Sequence, residues 1–327
     1  MPRMFSHYNM KFLLSIFLLI TSSFTLFPQE NCIKYFRELS IARYENHQGR
    51  TIEALKRFEM ANATYPSCTE ATSKFDFIKM YLKDGKQDIA YDLICEEIKK
   101  GYEIENIGYI GISKEDLGIY YSKLQLNKDS LHKVFVSQLD LDVLLFVRDM
   151  YSLDRYVPEI ENVEDSILKH IRHEVFRSNI QKLRSYSEEN GIIGYKELGH
   201  LQYMVNLILL HHRLDSESDK ENVSQLISMY RNAIHIGNSA PEVLINLIDN
   251  MALIIDKGKP QVMGRYFDVR TKEFREFENI EIIDSLRLSI GLNTLQEMSE
   301  ILGINLPDGY EKKENLNSFD SERSKHK

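Results

Sequence analysis

The chain has 327 residues, of which 43% are hydrophobic and 28% are charged, and its formal net charge is −8. This length allows two modest domains with packed cores. Acidic and basic residues are mixed along the chain and form no basic stripe, so nucleic acid is not expected as a partner. The sequence contains no Gly-x-Ser-x-Gly, Walker-type or dinucleotide-binding motif. We therefore expect no cofactor.

The first 28 residues predict a secretory signal peptide. Lys11 precedes the short apolar run Phe12–Ile20, and small polar residues follow before Pro28. The run is short for a membrane span, so none is expected after signal cleavage, although an uncleaved anchor is the alternative. Met10 competes with Met1 as the start of translation, because Met10 lies directly before the cationic residue. We expect an exported protein, located in the periplasm or outside the cell.

The part of the chain after the signal contains three cysteines, Cys32, Cys68 and Cys95. Export permits a disulfide, but three thiols leave one over, and the sequence does not determine the pairing. We favour a bridge between Cys32 and Cys68, on neighbouring helices. No Cys-x-x-Cys motif is present, so neither redox chemistry nor a zinc knuckle is indicated.

Residues 31–126 predict helical pairs that resemble the tetratricopeptide repeat. The first copy carries the small, aromatic and proline residues of that repeat, at Gly49, Ala54, Phe58, Ala61 and Pro66. The second copy is degenerate: it keeps Tyr81, Gly85 and Ala90 but lacks the later Ala and Pro and has Ile94 in place of the aromatic residue. Such repeats form a concave surface for a peptide or protein, but a helical spacer that packs on the next domain is the alternative. Two copies do not bury their own faces, so a third pair or the C-terminal part must cover them.

Residues 130–306 predict a compact helical domain with one small β-hairpin. A long amphipathic helix is expected from about residue 161 to 189. Residues 195–212 are apolar nearly all round, which predicts one central helix. The polar tail 307–327 is predicted to be disordered.

Two capping boxes and one change of period mark the end of this domain. Ser239 with Glu242, and Thr294 with Glu297, have the spacing of a capping box at a helix start. From Gln261 the apolar period changes to two, which predicts a β-hairpin or an extended flap.

Four short motifs lie between Tyr195 and Leu306. They are a helix ending in Leu-Leu-His-His at residues 209–212, Gly-Lys-Pro-Gln at residues 258–261, Gly264, and Gly-Leu-x-x-Leu at residues 291–295. In these motifs the stretch resembles domain of unknown function 6624, a family of uncharacterised secreted bacterial proteins. Met263 and Arg265 stand where the family typically has Tyr and Thr. Asp249-Asn250 lies too far upstream to match the Asp-Arg pair that the family has ahead of the turn. The resemblance brings no known activity.

His211 and His212 are the first candidate site residues. On one continuous helix, His200 and His211 lie on the same face, and His212 lies on the adjacent side. An inward histidine serves as acid, base or ligand, although a hydrogen-bonded structural histidine is the simpler interpretation. No His-x-x-x-His or His-Glu-x-x-His spacing occurs, so a metal is not expected.

Gln261 and Arg265 are the other candidates. They lie two residues on either side of Met263, so on a strand all three side chains would share a face. An amide beside a guanidinium suits a carboxylate or a peptide backbone. The alternative is that Gln261 satisfies open backbone groups of the turn and Arg265 pairs with a nearby acidic residue.

Two functions follow from these patterns. The first is a non-enzymatic module that binds a peptide or protein partner. The second is an enzyme of unknown reaction, for example a hydrolase, with its site between the end of the His211–His212 helix and the Gln261–Arg265 flap. The enzyme requires one of the histidines to meet the flap residues and a carboxylate in one pocket.

Overall fold

The computed structural model describes residues 32–157, 164–211, 217–251 and 260–312. These residues are mostly helical and contain one small antiparallel sheet, which confirms the predicted fold class. They belong to one compact unit. The predicted signal peptide lies outside the described residues. Within the described ranges, no helix has both the length and the apolar character needed to cross a membrane.

The described elements are as follows, in chain order. The helices are α1 (Cys32–His47), α2 (Thr51–Thr64), α3 (Phe75–Lys83), α4 (Gln87–Lys99), α5 (Lys114–Leu117), α6 (Ile119–Gln138), α7 (Leu141–Tyr156), α8 (Asp165–Asn190), α9 (Tyr195–Leu198), α10 (Tyr203–His211), α11 (Glu217–His235), α12 (Pro241–Asn250), α13 (Ile283–Leu288) and α14 (Leu295–Leu302). Short 3-10 helices lie at Pro66–Ala71, Ile104–Ile110 and Gly199–Gln202, and the strands are β1 (Phe267–Asp268) and β2 (Glu273–Phe274).

Helices α1 to α4 form two successive helical pairs. The turns within the pairs contain Gly49 and Gly85, whose φ angles are 81° and 77°. Glycine adopts this left-handed conformation without the Cβ clash that other residues suffer. Ala54 and Ala90 each lie five residues further on and are fully buried. The two pairs therefore use the same small residues at the same places.

A disulfide joins Cys32, at the start of α1, to Cys68 in the 3-10 helix Pro66–Ala71. This confirms the favoured pairing, and Cys95 remains a half-buried free thiol. The turn after α11 packs directly on the bridge, because a Cβ added to Gly237 would lie 2.8 Å from the Cys32 Sγ. The bridge thus holds the 3-10 helix against α1 beneath the C-terminal helices.

Helix α1 is also bound to the last helix, α14. Arg37 forms a two-pronged ion pair with Glu297, with N–O distances of 2.7 and 3.0 Å. Two turns further along α1, the Tyr44 hydroxyl donates to Glu300 at 2.5 Å. The face of the first helical pair is therefore covered by residues from the far end of the chain.

The prediction of one helix over residues 195–212 is wrong. Gly199 has a φ of 54°, and an added Cβ would lie 2.0 Å from the Lys100 carbonyl oxygen. This close approach interrupts the helix and divides the stretch into α9, a 3-10 turn and α10. Consequently His200 and His211 do not share a face of one helix.

One predicted capping box is present and the other is not. The backbone N–H of Glu297 donates to the Thr294 hydroxyl at 3.1 Å, and the Thr294 N–H donates to the Glu297 carboxylate at 2.8 Å. The box predicted from Ser239 and Glu242 is wrong, because Ala240 occupies the N-cap. The proline at the first helical position of α12 fixes that register. Glu242 is thereby left out of the cap.

The flap and the start of the tail are packed. Strands β1 and β2 pair Phe267 with Phe274, which confirms the predicted hairpin. The tail was predicted to be disordered from residue 307, but the Tyr310 hydroxyl donates to Asp284 at 2.7 Å. Residues 313–327 lie outside the described residues.

Candidate functional site

His211 lies at the last position of α10 and pairs with a buried carboxylate. Its Nδ1 is 2.6 Å from the Asp154 Oδ2 on α7. Asp154 is inaccessible to solvent, whereas the His211 side chain is 38% exposed. A carboxylate in this position orients the imidazole and fixes its tautomer, so Nε2 is the nitrogen left to act. The second Asp154 oxygen, Oδ1, has no hydrogen-bond partner among the described residues.

The end of α10 is connected to the flap through Asn250. Asn250 Nδ2 donates to the Leu210 carbonyl at 3.1 Å, and its Oδ1 accepts a hydrogen bond from the Tyr266 hydroxyl. Asn250 thus contacts both the end of α10 and the flap. However, the connecting side chains are Asn250 and Tyr266, which were not candidates. His212 lies outside the described residues.

Gln261 is fully buried, and its side chain is used by the flap itself. Its Nε2 donates to the Tyr266 and Arg275 carbonyls at 2.9 and 2.8 Å, and its Oε1 accepts from the Tyr266 N–H at 2.7 Å. The amide therefore satisfies the open backbone groups of the turn, as the alternative interpretation holds. It has no remaining strong donor for a ligand.

Arg265 does not share a face with Gln261 and Met263, contrary to the strand-based expectation. Met263 is buried, Arg265 is exposed, and the intervening Gly264 has a φ of 78°. Regular strand structure begins only at Phe267. Side-chain alternation requires extended backbone, so the left-handed glycine removes the basis of that expectation.

Asp249 on α12 explains why residues 262–265 turn as they do. Its carboxylate accepts from the backbone N–H groups of Val262, Met263 and Arg265 at 2.8, 2.7 and 2.7 Å. Burial raises the pKa of Asp249, while these N–H groups and the nearby Arg287 guanidinium oppose that rise. Asp249 thus anchors the flap to α12. The sequence had marked Asp249 only as lying too far upstream to match the Asp-Arg pair that the resembled family has ahead of the turn.

A second site surrounds His200, at the other end of the 195–211 stretch. Its Nε2 is 3.0 Å from the Glu97 Oε2 and 2.9 Å from the Tyr195 hydroxyl. The Tyr195 hydroxyl also donates to the Glu97 Oε2 at 2.9 Å. Burial, together with Glu97, raises the pKa of Tyr195 well above its ordinary value. Tyr195 is therefore a neutral donor, and Glu97 accepts from it.

The backbone places His200 in this cluster. Its N–H donates to the Lys100 carbonyl at 2.9 Å, next to the glycine that approaches the same carbonyl. The rings of Phe75 and Tyr102 lie 5.4 and 4.9 Å from the imidazole, centre to centre. Because Nε2 faces Glu97 and Tyr195, the other ring nitrogen, Nδ1, is the one available to a ligand.

A cavity of about 220 Å³ opens beside His200. Its lining comes from three segments, residues 71–73, 195–206 and 240–246. The described flap residues and His211 do not contribute to it. The cavity therefore lies apart from the site expected from the sequence.

Three amide side chains in the cavity wall are not satisfied by the protein. Gln202 Nε2, Asn206 Oδ1 and Asn246 Oδ1 are shielded from solvent and have no hydrogen-bond partner among the described residues. Gln202 as a whole is only 6% exposed. Buried polar atoms are nearly always paired, and each unpaired one costs about 1–3 kcal/mol. All three residues line the same cavity.

Comparisons with known proteins identify no relative. No protein-family model matches the chain, and no curated protein or solved structure is significantly similar to it.

The residues that form the cavity were not found from the sequence. Glu97 and His200 lie in separate helical segments, and Asn246 belongs to a third, so no local spacing brings them together. Asp249 did leave a signal, since an acidic residue within the apolar helix Pro241–Asn250 requires partners when buried. Within the described ranges, no three histidine, cysteine or acidic side chains are grouped so that they hold a metal ion.

Proposed function

We propose that this chain is an exported, non-enzymatic binding module that holds a segment of a peptide or protein partner in the cavity beside His200. The observation that carries the proposal is the set of three unsatisfied amides, Gln202, Asn206 and Asn246, around that cavity. A primary amide presents both donors and an acceptor. Its best complement is another amide, and the peptide backbone is a chain of them.

The size of the cavity supports a segment of a longer chain over a free small molecule. Pockets for small molecules usually measure about 300–1,000 Å³, and this one measures about 220 Å³. It therefore encloses part of a ligand while the remainder lies outside. The polar walls also favour a polar main chain over an apolar ligand.

Export is part of the proposal. Disulfides persist in oxidising compartments, so the Cys32–Cys68 bridge supports the secretory signal predicted in the first 28 residues. Sequencing the N-terminus of the mature protein tests this, and a start upstream of Phe24 contradicts it. The proposed kinship with domain of unknown function 6624 brings no activity, so the proposal rests on the cavity.

A binding experiment tests the module. Hexapeptides of random sequence with blocked ends are selected on the immobilised mature chain, and the tightest one is titrated by calorimetry. Gln202→Ala and Asn246→Ala should each weaken binding by about 2- to 12-fold, since one net hydrogen bond is worth about 0.5–1.5 kcal/mol. Gln225→Ala is the matched control, because Gln225 also has an unsatisfied buried amide oxygen but does not line the cavity. The proposal fails if no hexapeptide binds, or if the cavity variants bind like the wild type.

A second candidate is an enzyme such as a hydrolase, with His211 as its acid or base. The pairing of the half-exposed His211 with the buried Asp154 favours it. Since Gln261 is occupied by the flap backbone, such a site would use Arg265 and not Gln261. Hydrolysis of p-nitrophenyl acetate tests this candidate. A rate above background that is lost in both His211→Gln and Asp154→Asn supports an enzyme, whereas equal rates for all three proteins oppose it.

A further inference from the structure

The segment Thr72–Ser73 forms one wall of the cavity and is built like an edge strand. Thr72 has φ −150° and ψ 158°, which is fully extended backbone. Both residues are half-buried and line the cavity. The backbone N–H and C=O groups of these two residues form no hydrogen bond with any described residue.

This segment is held firmly at both ends. Before it, the 3-10 helix Pro66–Ala71 is fixed by the disulfide at Cys68. After it, Lys74 begins α3, and its Nζ is 2.6 Å from the Glu96 carboxylate. An extended segment fixed on both sides with open backbone groups presents a preformed template, which lowers the entropy cost of binding.

Amide side chains belong to the same cavity as this template. Gln202 and Asn246 come from other segments of the cavity lining, so a ligand main chain lying along Thr72–Ser73 occupies the cavity that these amides line. Addition of an extended segment to exposed strand-like backbone is a common mode of peptide recognition, in which main-chain hydrogen bonds supply the affinity.

We propose that the partner binds as an extended strand whose main chain pairs with Thr72–Ser73, so that the module recognises exposed, unfolded polypeptide with little regard to its sequence. The inference rests on the proposed function and specifies its ligand class. Successive residues of a strand point their backbone groups to opposite sides. A two-residue template therefore exchanges a close pair of hydrogen bonds with one ligand residue only.

Backbone methylation of the ligand tests this inference. The probe is the tightest hexapeptide from the random selection, synthesised in versions that each carry one N-methylated residue. Methylation at one position should weaken binding at least about tenfold, because it removes the N–H that pairs with the template. Methylation at the two neighbouring positions should change affinity by less than about threefold, since their N–H groups face away from the template.

Variants of the template give an independent measurement. Ser73→Pro removes one backbone N–H, and the extended Thr72 that precedes it is compatible with proline. Gln225→Ala, which lies outside the cavity, is the control and should bind like the wild type. Thermal unfolding of both variants establishes that they are folded, and the methylated peptides remain decisive if the proline variant is not.

The outcomes separate the two proposals. One sensitive position flanked by insensitive ones, together with normal binding by Gln225→Ala, supports strand pairing. Equal binding by every methylated peptide, within about twofold, overturns strand pairing but leaves the binding module standing. Failure of all hexapeptides to bind the wild type overturns both.

Discussion

Replacing Cys32 and Cys68 with alanine removes the disulfide that ties α1 to the 3-10 helix Pro66–Ala71. Both cysteines are almost wholly buried, with 1% and 0% exposure. Alanine is the appropriate replacement, because serine would place a hydroxyl in an apolar site at additional cost. Comparing the double alanine variant with the wild type then measures mainly the loss of the bridge.

The expected loss follows from the loop that the bridge closes. Its cysteines are 36 residues apart. In the chain-entropy treatment, a loop of this length lowers the entropy of the unfolded chain enough to stabilise the fold by about 4 kcal/mol at 25 °C. That is a large part of the roughly 5–15 kcal/mol that separates folded from unfolded states in most proteins.

Urea unfolding followed by circular dichroism measures the effect. The double alanine variant and the wild type treated with a reductant should lose a similar free energy of unfolding, about 4 kcal/mol. Cys95→Ala is the control, since Cys95 is a free, half-buried thiol. Agreement of the double variant with the oxidised wild type to within about 1 kcal/mol would refute the reasoning, because the unfolded chain would then gain nothing from losing the bridge.

Four further outcomes can be measured. Gly199→Ala should destabilise the fold by about 3 kcal/mol or more in thermal unfolding, because its Cβ would meet a backbone carbonyl at 2.0 Å. Gly49→Ala has no atom within 4 Å of its Cβ and should cost only the left-handed strain, about 1–2 kcal/mol. Gln202→Leu should raise the free energy of unfolding by about 1 kcal/mol, because it removes a buried unsatisfied amide, and should weaken hexapeptide binding by about 2- to 12-fold, as Gln202→Ala should. Burial and the hydrogen bond to Glu300 raise the pKa of Tyr44 from 10.0 to about 12. Its contribution to stability is therefore present below pH 10 and lost as the pH rises through about 12, and Tyr44→Phe should lack that loss when unfolding is measured across this range.

The sequence predicted what is decided locally. Helical periodicity and the capping pair Thr294–Glu297 depend on residues within one or two turns, and both are present. The break at Gly199 depends on the Lys100 carbonyl, which comes from a distant part of the chain. The spacing of apolar residues does not reveal that Gly199 approaches the Lys100 carbonyl. Residues 195–212 were therefore expected to form one helix.

The candidate site was predicted less well for a related reason. Gln261 was singled out because an amide beside the Arg265 guanidinium suits a carboxylate or a peptide backbone, but a buried turn must first satisfy its own backbone. The structure uses the Gln261 amide for that purpose. By contrast, Gln202 lies in an unremarkable polar position of the sequence. Its importance comes from the absence of partners around it, which only the three-dimensional arrangement of the described residues reveals.

The ion pair between Arg37 and Glu297 spans 260 positions of the chain. Ribosomes add about 5–20 residues per second, so helix α1 waits on the order of tens of seconds before its partner helix exists. During that time the face that α14 later covers has no native cover. The nascent chain therefore depends on something else to shield this helix, and fragments that end before α14 should aggregate where the complete chain does not.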